Sequence, residues 1–190
     1  NDVEIITESW LEEMLQLCQQ KDVGMAGAKL YYPDDTIQHA GVVVGLGGVA
    51  AHVLCKLPRD AEGYMGRLRC VQEISAVTAA CMMVKTSVFK AVGGFDEELK
   101  VAFNDIDLCM KVRKYGVKIV FTPYAELYHY ESKSRGMEDT PEKQLRFSRE
   151  VNCFRRKWER ELLKGDPYYN PNLTLNNTDC SLRKQEKNGD

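Results

Sequence analysis

Helical and strand-like apolar patterns alternate along the first 130 residues, and this alternation restricts the chain to few folds. A helical pattern from Ser9 to Gln20 precedes an apolar stretch from Gly24 to Tyr31 that is typical of a buried strand. Farther on, the run Ser75 to Val84 predicts a central strand, and a helix from about Asp105 to Gly116 precedes a short strand from Val117 to Phe121. Strands and helices in alternation are typical of layered α/β structures. We therefore predict an α/β fold.

The segments between these elements are shorter or less regular. Ile37 to Val44 is a second apolar stretch, and Thr86 to Val92 fits a short helix that a glycine pair ends. Ala125 to Tyr130 follows Pro123 and predicts a strand separate from the one before that proline. Residues 50–69 show no periodicity and predict a long loop, a type of segment that often carries function.

The C-terminal part of the chain has a different character. One apolar face recurs from about Pro141 to Lys164 and predicts a long amphipathic helix, whose other faces carry basic residues and acids such as Glu150 and predict a solvated surface. After Pro167 the chain is polar and rich in asparagine, which predicts an extended or disordered tail. We therefore expect a main domain at 1–140, the amphipathic helix packed on it at 141–165, and a tail at 166–190.

Composition and charge exclude several functional classes. The formal net charge of −2 lacks the basic excess of a nucleic-acid-binding protein. No apolar run approaches the roughly 20 residues that a membrane-spanning helix requires. The seven cysteines include no Cys-x-x-Cys pair, so a disulfide framework or a zinc ribbon is not predicted. We interpret them as reduced thiols of a cytosolic protein.

Asp105 is the first candidate for catalysis. It lies with Asn104 and Asp107 at the start of a predicted helix, and the glycine pair Gly93–Gly94 precedes that helix. A carboxylate in this place can act as a general base, but aspartate is also a common N-cap residue for reasons unrelated to catalysis. By spacing, Asp107 complements the helix dipole in the first turn. The spacing alone leaves both roles of Asp105 open.

The histidines and the N-terminal acid are candidates for metal binding. His129 follows an apolar strand and could ligate a metal, although an isolated histidine is more often a satisfied core or surface residue. Asp2 is either a metal-binding carboxylate or a loop acid. His39 and His52 are weaker candidates, and we expect His39 to hydrogen-bond locally.

Eight short segments carry a resemblance to a known enzyme family. From Asn1 to about Thr174, the chain resembles the C-terminal half of a family 2 glycosyltransferase with the A-type glycosyltransferase fold, a mixed sheet flanked by helices. The segments occur in the family's order and at the expected spacing: Asn1–Ile5, Gly27–Tyr31, Ile37–Gly41, Val77–Val84, Val92–Glu97, Asn104–Leu108, His129–Gly136 and Asp166–Leu173.

The resemblance implies roles for particular residues. Asp2 matches the last acid of an Asp-x-Asp-like motif, which in the family binds the divalent metal, either Mg²⁺ or Mn²⁺, on the donor diphosphate. Asp105 matches the catalytic base, and Asn104 replaces the glutamate that usually precedes it. His129 matches a position that contacts the metal or the diphosphate. The substrate-binding residues implied are Asn104, Asp107, Ser132, Ser134 and Arg135, the last three on a mobile loop beyond His129.

The resemblance also implies the reaction and the partners. An inverting transferase would move a sugar from a nucleotide-sugar donor to a hydroxyl of a glycan or lipid-linked acceptor, in surface polysaccharide biosynthesis at the cytoplasmic face of the membrane. The nucleotide-binding half of the family's domain would precede Asn1, so we expect this chain alone to be inactive. An exposed sheet edge would then favour a homo-oligomer.

Two other functional classes remain open at this point. A non-catalytic carbohydrate-binding or scaffolding domain could retain the same fold, as the shortened metal motif and Asn104 allow. A metal-dependent phosphohydrolase using Asp2 and Asp105 is the third reading. That reading requires an aspartyl nucleophile or a second metal cluster, and the sequence indicates neither.

Overall fold

The computed structural model describes residues 2–130 and 140–184. The strands are β1 Val3–Ile5, β2 Val23–Tyr31, β3 Ile37–His39, β4 Val42–Val44, β5 Ala50–His52, β6 Gln72–Glu73, β7 Met82–Val84 and β8 Lys118–His129. The α-helices are α1 Trp10–Cys18, α2 Thr86–Ala91, α3 Asn104–Lys114, α4 Pro141–Lys157 and α5 Glu159–Lys164. Three 3₁₀ turns lie at Leu46–Gly48, Tyr64–Arg69 and Ala79–Cys81.

A mixed sheet of six strands forms the centre of the fold. Its main path is β1-β8-β2-β3, with β6 paired to β8 and β7 paired to β2. The central pair, β2 and β8, is parallel, and the other pairs of this sheet are antiparallel. Strands β4 and β5 form a separate antiparallel hairpin. The predicted α/β class is confirmed.

Helices cover both faces of the sheet. Every residue of β2 is buried, because its side chains meet a helix layer on each side. On one face, Met14 and Leu17 of α1 pack in a cluster that includes Ala28. On the other face, Leu108 of α3 and Phe154 of α4 belong to the larger of the two clusters.

Strand β8 runs unbroken from Lys118 to His129, so the prediction of two strands separated at Pro123 is wrong. The pairing of β2 with β8 jumps from Gly27↔Phe121 to Lys29↔Glu126, which places Pro123 in a bulge. A proline has no N–H to donate, and in a bulge none is required. The bulge lets the strand continue past Pro123 and carry His129 at its end.

The predicted central strand from Ser75 to Val84 is also wrong. Only Met82–Val84 joins the sheet, and the 3₁₀ turn Ala79–Cys81 precedes it. The Thr78 hydroxyl accepts a hydrogen bond from the Ala80 N–H and so caps this turn. The small apolar residues of this segment therefore form a turn beside the sheet instead of a central strand.

The predicted long amphipathic helix is divided into α4 and α5 at Trp158, whose backbone leaves helical geometry (φ −114°, ψ 23°). The segment after α5 packs back onto the main body. Asp166 Oδ2 accepts a hydrogen bond from Val44 N–H at 2.8 Å, and Thr178 O accepts one from Leu54 N–H at 2.6 Å. Leu173 is buried. The described part of the tail is therefore held against the hairpin.

Three further observations bear on the predictions. Strand β1 pairs only with β8 among the described strands, and its Val3 and Ile5 are exposed. All seven cysteines lie in the described ranges, and each is a free thiol. Within those same ranges, no helix combines the length and the apolar character that crossing a membrane would take.

Candidate functional site

A cleft of about 550 Å³ opens where the ends of β3, β5 and β8 meet the start of α3. Four residues predicted from the sequence line it together, namely Asp2, Asn104, Asp105 and His129. The other lining residues are His52, a weaker metal-binding candidate from the sequence, and Tyr32, Gln38, Ala51, Cys55, Thr78, Ala79, Ala80, Val101 and Thr178. The cleft therefore joins residues more than 100 positions apart in the chain.

Asp105 lies in the first turn of α3 and is not its N-cap, so the capping interpretation is wrong. The N-cap position belongs to Phe103, which has a left-handed backbone (φ 62°) and makes no side-chain cap. One carboxylate oxygen of Asp105 accepts the Ala79 N–H at 3.1 Å, and the other accepts the Ile106 N–H at 2.9 Å. These bonds orient the carboxylate between α3 and the 3₁₀ turn, at the wall of the cleft.

Helix α4 holds the loop that leads into Asp105. Glu150 is 3% exposed, and its carboxylate accepts the N–H groups of Lys100, Val101 and Ala102 at 3.0, 3.1 and 2.9 Å. The prediction that Glu150 lies on a solvated helix face is therefore wrong. Directly after this loop, the ring of Phe103 packs against two rings of α4, Phe147 and Phe154, with centroids 5.9 and 5.4 Å away.

Asp107 lies in the first turn of α3, as its predicted place at the positive end of the helix dipole requires, but it lies apart from the cleft, which argues against its predicted role in substrate binding. Its side chain is fully buried, so it cannot reach a ligand in the cleft. It accepts a hydrogen bond from the Trp158 indole at 2.8 Å and contacts the ammonium groups of Lys157 and Lys111 at 2.8 and 3.3 Å. Asp107 therefore joins α3 to the junction of α4 and α5.

Gln38 fixes the orientation of His129. The Gln38 amide nitrogen donates to the His129 carbonyl at 3.2 Å, so the amide oxygen faces His129 Nδ1 at 2.7 Å. An oxygen acceptor at Nδ1 requires a hydrogen there, and in the neutral ring Nε2 then carries the lone pair. Metal-binding histidines commonly have this arrangement, in which a second group sets the tautomer of the ligating ring.

Asp2 reaches the same cleft through strand pairing. Val3 lies opposite His129 in the β1–β8 ladder, and the Tyr130 N–H donates to the Asp2 carbonyl at 2.8 Å. In residues 2–130 and 140–184, no group of three or more His, Cys, Asp and Glu residues is arranged to hold a metal ion. Within these ranges, a metal site would therefore use at most two of these side chains.

All three histidines of the chain lie at this cleft, which the sequence did not indicate. His52 and His129 line it, and His39 is fully buried behind them. Burial lowers the pKa of His39 well below its ordinary value, and His52 and His129 add to this effect. Ser132, Ser134 and Arg135, predicted to bind substrate, lie outside the described residues.

Comparison with known proteins gives a consistent family assignment. The sequence model of the family described as "Glycosyltransferase like family 2" matches residues 2–149. An uncharacterized protein of Sinorhizobium fredii, y4gI, is 57% identical over 183 residues, which cover 96% of this chain and 20% of that protein. The O-antigen biosynthesis protein RfbC of Myxococcus xanthus is 39% identical over 191 residues, covering 100% of this chain and 15% of that protein.

A third relative matches over a shorter region. The N-acetylglucosaminyl-diphospho-decaprenol L-rhamnosyltransferase of Mycobacterium tuberculosis is 36% identical over 62 residues, which are 33% of this chain and 20% of that protein. The chain thus spans a fifth or less of the two longer matches. The family match covers most of the chain, and the mixed sheet flanked by helices is consistent with the A-type glycosyltransferase fold. The chain belongs to glycosyltransferase family 2.

Proposed function

We propose that this chain supplies the acceptor and metal side of an inverting glycosyltransferase, with Asp105 as the catalytic base. The observation that carries the proposal is the convergence of Asp105, Asp2 and His129 on one cleft. An inverting transfer needs one carboxylate near the acceptor hydroxyl and a separate group near the departing diphosphate. The cleft offers a positioned carboxylate from α3, and a carboxylate and an imidazole from the ends of β1 and β8.

In the proposed reaction, Asp105 accepts the proton of the acceptor hydroxyl as that oxygen attacks the anomeric carbon. The bond between this carbon and the diphosphate oxygen breaks, so the configuration at the carbon inverts and a nucleoside diphosphate leaves. The hydrogen bonds from Ala79 and Ile106 hold the Asp105 carboxylate in place before the acceptor arrives. Asn104 beside it accepts the Asp105 N–H through its side-chain oxygen at 2.7 Å.

Asp2 and His129 would hold a divalent cation, Mg²⁺ or Mn²⁺. A carboxylate and a tautomer-fixed imidazole form a suitable donor set for such an ion when diphosphate oxygens complete the coordination. When bound, the cation would neutralise the charge of the departing diphosphate. Ser132, Ser134 and Arg135 remain proposed contacts of the substrate.

The names of the relatives support a substrate class. One relative is an O-antigen biosynthesis protein, and another transfers L-rhamnose to an N-acetylglucosaminyl-diphospho-decaprenol. We infer a hexosyl or rhamnosyl transfer to a glycan or lipid-linked acceptor in surface polysaccharide biosynthesis. A lipid-linked acceptor would place the reaction at a membrane, and the family resemblance implies its cytoplasmic face. The exposed edge of β1 remains the proposed surface for self-association.

The deciding experiment uses the full-length protein that contains this chain. UDP-, GDP- and dTDP-sugars would be tested with Mn²⁺ or Mg²⁺ and a lipid-linked glycan acceptor, with Asp105→Asn as the variant. Asp60→Asn, at an exposed acid outside the cleft, is the matched control. We expect metal-dependent transfer from one donor, a loss of about 10²–10⁴-fold in Asp105→Asn, and none in the control. Folded protein that transfers no sugar would favour a non-catalytic carbohydrate-binding domain instead.

A further inference from the structure

A pair of histidines forms part of the cleft wall. His39 at the end of β3 is fully buried, and its Nδ1 lies 3.0 Å from Nδ1 of His52 at the end of β5. The two rings meet edge to face, with centroids 4.9 Å apart and planes at 78°. His52 is partly exposed and lines the cleft. The buried ring thus contacts two residues that line the cleft, His52 through its ring and Thr78 through its backbone N–H.

The surroundings of His39 determine where its hydrogen lies. Because burial disfavours the charged form, His39 is neutral and carries a single N–H. The backbone N–H of Thr78 approaches His39 Nε2 at 3.5 Å. A backbone N–H can only donate, so Nε2 must be the acceptor and the hydrogen of His39 lies on Nδ1.

The position of this hydrogen sets the state of His52. His39 Nδ1–H donates across the 3.0 Å contact, so Nδ1 of His52 must accept and cannot carry a hydrogen. A neutral His52 then carries its hydrogen on Nε2, on the part of the ring away from His39. If His52 carried a second proton, its Nδ1–H would face the Nδ1–H of His39. That repulsion would be relieved only if the hydrogen of His39 moved to Nε2, which would break the hydrogen bond from the Thr78 N–H.

We propose that His52 is a substrate-binding residue, which donates its neutral Nε2–H to an oxygen of the substrate in the cleft, and that His39 is the positioning residue that sets this tautomer. This inference rests on the proposed function. The oxygen can belong to a sugar hydroxyl or to the diphosphate, and both accept a hydrogen bond from a neutral imidazole. A neutral donor binds such oxygens without adding a full charge beside the proposed cation site at Asp2 and His129.

The first test is direct observation of the tautomers. Long-range ¹H–¹⁵N spectra of the chain labelled at histidine distinguish a hydrogen on Nδ1 from one on Nε2. We expect the Nδ1–H tautomer for His39 and the Nε2–H tautomer for His52. Finding His52 with its hydrogen on Nδ1 overturns the inference, whatever the outcome of the transferase assay.

The second test is kinetic and uses side-chain amides that mimic one ring nitrogen each. Gln places an N–H near the position of Nε2, and Asn places one near Nδ1. In the full-length protein, His52→Ala should raise KM for one substrate about tenfold or more, and His52→Gln should stay within about threefold of wild type. His39→Ala should raise the same KM, and His39→Asn should restore it.

The pattern of KM values identifies the ligand and decides the inference. An effect on the donor KM assigns the contact to the nucleotide sugar, and an effect on the acceptor KM assigns it to the glycan. Unchanged KM values in His52→Ala, or equal losses in His52→Ala and His52→Gln, overturn the inference. If wild type transfers no sugar, the proposed function fails, and titration with UDP-, GDP- and dTDP-sugars in Mg²⁺, and with the lipid-linked glycan acceptor, tests His52 separately. A shift of its Nε2 resonance supports the contact, and no shift overturns it.

Discussion

Replacing Glu150 should loosen the loop that leads into the proposed catalytic base, Asp105, even though Glu150 does not line the cleft. Its carboxylate accepts three backbone N–H groups from residues 100–102, and the side chain is 3% exposed. Hydrogen bonds to a charged group contribute about 1.5–3 kcal/mol each, and they are not additive when they share one acceptor group. Residues 100–102 are exposed or partly exposed, so water can bind some of their N–H groups once the carboxylate is removed, which limits the loss of stability. We therefore expect Glu150→Ala to lower the free energy of unfolding by about 3–5 kcal/mol.

Glu150→Gln provides a finer test of the same contact. The amide keeps one oxygen, which can still accept from Lys100 and Val101. Its NH₂ group would then face the Ala102 N–H, so two donors would oppose each other. We expect a loss of about 1–3 kcal/mol, smaller than that of the alanine variant.

Urea unfolding monitored by circular dichroism measures the stability change, and Glu159→Gln serves as the control. Glu159 is an exposed acid in the first turn of α5, so its neutralisation should cost less than about 1 kcal/mol. Transfer by the full-length protein, at a temperature where each variant is folded, should fall at least about tenfold in Glu150→Ala because Asp105 loses its position. A Glu150→Ala variant as stable and as active as the control would refute the proposed anchoring by α4.

Three further changes test other parts of the structure. Gly24→Ala should lower the free energy of unfolding by about 1–3 kcal/mol, because the new Cβ would lie 2.3 Å from Val117 Cγ2. In a double-mutant cycle measured by urea unfolding, this loss should be smaller when Val117 is also replaced by Ala. The pKa of His39 in the folded protein lies below the unfolded value of 6.5. As the pH falls below about 6.5, His39 is therefore protonated in the unfolded chain but stays neutral in the folded protein. Stability should then decrease by about 1.4 kcal/mol per pH unit, and His39→Asn should remove this slope in unfolding curves between pH 5 and 7. Gln38→Ala should weaken Mn²⁺ binding about 10–100-fold, because His129 loses its orienting partner. Calorimetry with a nucleoside diphosphate present measures this affinity, and an unchanged value would count against His129 as a ligand.

Elements that depend on the local pattern of apolar residues could be predicted from the sequence. The helix after Asn104 and the buried strand ending at Tyr31 follow from periodicity, and both lie where it predicts. The strand break predicted at Pro123 is wrong because Pro123 lies in a bulge of the β2–β8 pairing, where no N–H is needed. A register shift between two strands cannot be recognised from the residues around the proline. The structure, for the same reason, was needed to see that His39 and His52 meet.

Buried charges were the other class that the sequence could not identify. Glu150 and Asp107 resemble the surface acids of any amphipathic helix until their partners are known. The partners of Glu150 are backbone N–H groups 48–50 residues away, and those of Asp107 include an indole 51 residues away. Backbone donors have no residue-type signature, so their sequence shows no sign that a carboxylate will bind them.

These buried acids suggest that the two sides of the cleft are positioned by different parts of the fold. Asp2 and His129 lie at the ends of paired strands, so the central sheet fixes them. Asp105 lies at the start of α3, and the loop before it depends on α4 through Glu150. Changes in α4 should therefore act on the proposed base and acceptor, while changes at the ends of β1, β3 and β8 should act on the proposed cation and diphosphate. An α4 variant that weakened Mn²⁺ binding as much as transfer would contradict this division.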